Sequence, residues 1–77
     1  MVISDEFLEK ETTGLFEYLK RKTGNVSATV HILDRLFDKL IDRMSSYNFS
    51  GEWEVSVFLK MNVRELLTYY FSSQFKN

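Results

Sequence analysis

Few side chains in this 77-residue chain are suited to chemistry. There is one histidine, His31, and no cysteine. Acid–base or nucleophilic catalysis would need a nucleophile or carboxylate held beside His31, and no such pattern accompanies it. There is no Gly-rich phosphate loop, no nucleophile elbow and no metal-ligand spacing. Asp34, Asp38 and Asp42 recur at every fourth position and would form one ridge on a helix. Three carboxylates on one helix, without carbonyl or other ligands, make a poor cation cage. With Arg35, Lys39 and Arg43 on a neighbouring ridge, they read as a solvated face. No enzyme, metal site or cofactor is therefore expected. What remains is contact chemistry: exposed cations between Lys20 and Arg43, and a surplus of aromatic side chains.

The elements that carry these residues read mainly as helices. Ser4 can cap a helix opening with Asp5 and Glu6, where carboxylates suit the positive end of the dipole. Gly14, just after Thr12 and Thr13, interrupts that helix. One bent helix over 5–22 or two short ones meeting near Thr12 both fit, and two are preferred because Thr12 or Thr13 could cap the second. Lys20, Arg21 and Lys22 suit the negative helix end, and Gly24 sits where a left-handed stop residue belongs.

Ser27 or Asn25 caps the next helix, which runs to at least Lys39. At roughly 100° per residue, its Val30, Leu33, Leu36, Phe37, Leu40, Ile41 and Met44 cover an apolar arc of about 140°. Residues 47–51, Tyr-Asn-Phe-Ser-Gly, read as a turn. Over 52–61, Trp53, Val55, Val57, Leu59 and Met61 alternate with other residues, so strand is the first reading and helix the second. Asn62 and Glu65 resemble a capping box for a last helix through Ser73. Trp53 is expected in a core or interface.

Composition bounds the function. A chain of this length makes a single small domain, 1–77, with a modest core. The absence of cysteine excludes a disulfide framework and favours an intracellular, cytoplasmic setting. No apolar run approaches the 18 or so residues of a spanning helix, and no signal peptide is read, so no membrane partner is expected. Ten basic and eleven acidic side chains leave a net charge of −1. That balance differs from the positive excess usual in nucleic-acid binders.

One resemblance is carried by Thr23-Gly24-Asn25-Val26-Ser27-Ala28-Thr29-Val30 and the following Ile32-Leu33-Asp34-Arg35-Leu36-Phe37-Asp38-Lys39-Leu40-Ile41. This stretch resembles the winged helix-turn-helix family, over Thr13 to Met61. The resemblance implies three to four helices with a β-hairpin from about Leu40 to Met61, its tip at Asn48 to Gly51. It also implies a dimeric regulator of transcription that binds double-stranded DNA. Ser27 and Thr29 would contact phosphate, while His31, Arg35, Lys39 and Arg43 would face the groove. Asp34, Asp38 and Asp42 depart from that pattern, because they would repel phosphate. A second resemblance, to ribbon-helix-helix proteins, covers Leu15 to Ile41 and needs a strand near Met1-Val2-Ile3. The alternative fold is an all-α three-helix bundle.

The last helix carries Leu66, Leu67, Tyr69, Tyr70 and Phe71 over about 200° of its circumference. One small core cannot cover that arc. Leu66, Tyr69, Tyr70 and Phe71 are therefore expected to meet a second copy of the chain in a homodimer, or another protein. The alternative function is a non-enzymatic protein-binding adaptor or inhibitor of the short kind encoded by phages and mobile elements, docking through the surface around Tyr69.

Overall fold

The computed structural model describes residues 3–75. Among them it shows three α-helices and no strand: α1 (Asp5–Thr23), α2 (Val26–Met44) and α3 (Glu52–Phe75). The all-α three-helix alternative is the fold.

Each helix start and stop has a local cause. The Ser4 hydroxyl accepts the Phe7 N–H at 3.1 Å and caps α1. Gly24 ends it in the left-handed region, φ 64°, donating its N–H to the Lys20 carbonyl at 2.8 Å. Asn25, rather than Ser27, caps α2: its side chain accepts the Ala28 N–H at 3.0 Å. The sharp bend at Gly24 is therefore present.

Helix α1 is one continuous element, not two. The Thr12 hydroxyl donates back to the Leu8 carbonyl at 2.7 Å instead of capping a second helix. Packing of Leu15 and Leu19 into the core holds the helix across Gly14, against a propensity cost of about 1 kcal/mol.

The wing is absent. Residues 52–61 form the first half of α3. Val55, Leu59, Val63 and Leu66, spaced four, four and three apart, are all buried on one side. Trp53, Val57 and Met61 stand on the other side, exposed. Two apolar stripes on opposite faces of one helix mimic the alternation of a strand. Asn62 caps nothing; its side-chain amide donates to the Phe58 carbonyl within the helix. Without a hairpin, the winged-helix resemblance fails. The ribbon-helix-helix resemblance fails as well: its strand falls on Met1 and Val2, outside the described residues, and on Ile3, which is not in a strand.

Helices α1 and α3 pack on α2. The Ser4 N–H and hydroxyl both donate to Glu52 Oε2, at 3.1 and 3.0 Å, joining the starts of α1 and α3. Those two helices therefore run parallel, and α2 returns between them. The molecule measures 43 × 23 × 15 Å. Leu19, Leu36, Val55 and Leu59 form the best-buried part of the core, and Phe49 from the α2–α3 connection closes one end. Val30, Ile41 and Met44, expected in the core, lie outside it; Ile41 is 66% exposed. The core-facing arc of α2 is narrower than its apolar arc because only two helices cover it.

Candidate functional site

Helices α2 and α3 form a long groove on one side of the molecule. His31, Arg35, Lys39 and Arg43 recur at every fourth position and are all exposed, so they form one row along the α2 wall. Val57, Met61, Glu65 and Tyr69 form the matching row along α3. The two rows run antiparallel, so Arg43 stands near Val57 and Met61, and His31 and Arg35 stand near Tyr69. Ile32, Phe58, Asn62 and Leu66 line it between them.

One end of the groove is a cleft of about 580 Å³. The Arg43 guanidinium lies 5.5 Å from the Phe58 ring centroid and 5.9 Å from that of Tyr47. Attraction to the ring faces fixes a side chain that would otherwise be mobile. Tyr47 and Phe49 meet edge to face at 5.2 Å, and Phe49 meets Phe58 the same way at 5.6 Å. The Tyr47 hydroxyl donates to Glu54 Oε2 at 2.6 Å, and the Ser50 N–H donates to Glu54 Oε1, also at 2.6 Å. The bond to Glu54 raises the Tyr47 phenol above its ordinary value. The bond from Tyr47, and then the Ser50 N–H, lower the Glu54 carboxyl below its ordinary value. This network ties the α2–α3 connection to the first turn of α3. It supplies a shaped surface and contains no group placed to act as a nucleophile.

At the other end, Tyr69 is 71% exposed. It lines the same surface as Arg35, Lys39 and Leu66, and another beside His31 and Tyr70. The structure thus brings together two groups that the sequence treats separately, the cations of α2 and the aromatics of α3.

Other expected site residues lie elsewhere. Thr29 is 0% exposed. Its hydroxyl donates to the Asn25 carbonyl at 2.9 Å and lies 3.2 Å from the Thr23 hydroxyl. Its position inside the α1–α2 corner leaves it no surface for phosphate. Ser27 is exposed at the start of α2, away from the groove row. Leu66 is buried in the chain's own core, Tyr70 packs half-buried against that core, and Phe71 is partly exposed. Tyr47, Glu54, Val57 and Met61 are the groove residues that sequence reasoning missed. For Val57 and Met61 the signal was their four-residue spacing with Trp53, legible only once 52–61 is read as helix; Tyr47 and Glu54 carried no such signal.

The chain matches no known family model, no curated protein and no solved structure.

Proposed function

We propose that the chain is a non-enzymatic protein-binding adaptor or inhibitor, and that the α2–α3 groove is its docking surface. One observation carries this reading: exposed Met61 and Tyr69 face a row of exposed Arg35, Lys39 and Arg43 across a single groove. Apolar anchors beside exposed cations suit a polypeptide segment that carries both apolar side chains and carboxylates. Charge favours protein over nucleic acid. On α2 itself, Asp34, Asp38 and Asp42 balance Arg35, Lys39 and Arg43, so the wall lacks the net positive potential that attracts phosphate.

The test is a pull-down with the tagged chain from its native host, read by mass spectrometry. One stoichiometric partner is expected. Met61→Glu and Tyr69→Glu should each abolish its capture, while Glu17→Lys, on the exposed side of α1, should leave it intact. Equal capture by all three variants would show that the groove is not the docking surface.

Double-stranded DNA is the second reading, and the exposed row of Arg35, Lys39 and Arg43 favours it. A gel shift on random duplex would support it if binding fell steeply with salt and Arg35→Ala with Lys39→Ala reduced that slope.

A further inference from the structure

A second surface lies between α1 and α3, on the side away from α2. Leu15 and Val63 floor it, Glu11, Gly14 and Tyr18 line its α1 wall, and Lys60 and Arg64 line its α3 wall. Gly14 has no role inside the chain. Its φ is not positive, and a Cβ at this position would meet nothing within 4 Å. A glycine in mid-helix weakens the helix, yet it also lets another backbone come close. Trp53 and Phe71 share a strip of α3 with Lys60 and Arg64, spaced seven, four and seven apart. Both are exposed, Trp53 by 67%.

We propose that this face joins two copies of the chain around a two-fold axis running along the groove. Such an axis lays α1 of one copy over α3 of the other. Glu11, Lys60 and Arg64 line the same groove, so they stand at similar heights along the bundle. The axis therefore sets Glu11 of each copy against Lys60 and Arg64 of the second copy, and the pairing occurs twice. Gly14 lets α3 of the second copy approach the α1 backbone. Both copies of α1 and α3 then form a four-helix core, with each α2 outside it. Arg64 also lines the α2–α3 groove beside Tyr69, whereas Glu11 and Gly14 belong to the α1–α3 face alone.

Sedimentation equilibrium over a range of concentrations tests the dimer. The unmodified chain should reach twice the 9.2 kDa chain mass. Glu11→Lys alone, or Lys60→Glu with Arg64→Glu, should weaken association by about tenfold or more, by setting like charges together. All three substitutions in one chain should restore it to within about threefold, because the charges are exchanged but still matched. Gly14→Leu should also weaken association about tenfold while the melting temperature, taken at a concentration low enough for the monomer, holds or rises, which excludes unfolding as the cause. A chain that stays monomeric at the highest concentration overturns the proposal, as does a triple variant no better associated than the Glu11→Lys single or the Lys60→Glu, Arg64→Glu double. Glu11→Lys and Gly14→Leu leave the α2–α3 groove unaltered, so their effect on association is read apart from the pull-down pattern that tests that groove.

Discussion

At the residue scale, hydrogen bonding decides which polar side chains belong to the surface and which to the fold. Thr29 hydrogen-bonds within its own corner. Thr29→Val keeps the shape but removes the hydroxyl, and should cost about 0.5–1.5 kcal/mol in urea denaturation. Asn25→Ala removes the cap of α2 and should cost about 1 kcal/mol by the same measurement. The Tyr47–Glu54 bond makes a prediction in pH. Glu54 titrates lower in the folded state than in the unfolded one. Its contribution to stability is therefore fully present above the ordinary glutamate range and is lost as pH falls through the depressed folded value. Tyr47 titrates higher when folded, so its contribution is lost only as pH rises through the raised phenol value. Tyr47→Phe should move the Glu54 midpoint upward in a carboxyl NMR titration. An unmoved midpoint would mean that the Ser50 N–H alone holds Glu54 down.

At the element scale, two glycines should respond in opposite directions to the same substitution. Gly24 sits at φ 64°, where an L side chain costs roughly 1–2 kcal/mol. Gly24→Ala should destabilise the chain by about that much. Gly14 is helical and faces open space, so Gly14→Ala should stabilise the monomer by about 0.5–1 kcal/mol. Thermal denaturation at low concentration measures both. A loss of stability in Gly14→Ala would mean that α1 needs flexibility at this point. Helix α3 is the element that carries the most surface information. One stripe feeds the core through Val55, Leu59, Val63 and Leu66, and the remaining circumference contributes to both proposed interfaces.

For the whole molecule, α2 is the keystone, because α1 and α3 both pack on it. Leu36 is completely buried in that core. Leu36→Ala should cost about 2–5 kcal/mol through lost burial and a residual cavity. A domain of this length is worth roughly 4–12 kcal/mol in all, so this one change should remove a large share of the total. Ile41→Ser, on the exposed part of α2, should shift stability by no more than about 0.5 kcal/mol. Denaturant midpoints for the two variants would separate a true core position from an apolar one at the surface. A large loss in Ile41→Ser would show that Ile41 is covered in solution, as a partner would cover it.

The sequence alone determined the features that depend on a few neighbouring residues. Ser4 as a cap, Gly24 as a left-handed stop and α2 as a long helix all follow from local hydrogen bonding and backbone sterics. Tertiary structure decided everything that depends on which face is covered. Residues 52–61 have apolar side chains at both helical and strand spacing, and only packing of Val55 and Leu59 against the other helices selects the helix. Continuity of α1 through Gly14 was settled the same way, by burial of Leu15 and Leu19. Val30, Ile41 and Trp53 are apolar and exposed, because hydrophobicity states what could be buried and not whether a neighbour is present to bury it. The groove was half legible: the row of cations on α2 is set by period alone, but its alignment with Met61 and Tyr69 comes from the antiparallel packing of two helices far apart in sequence.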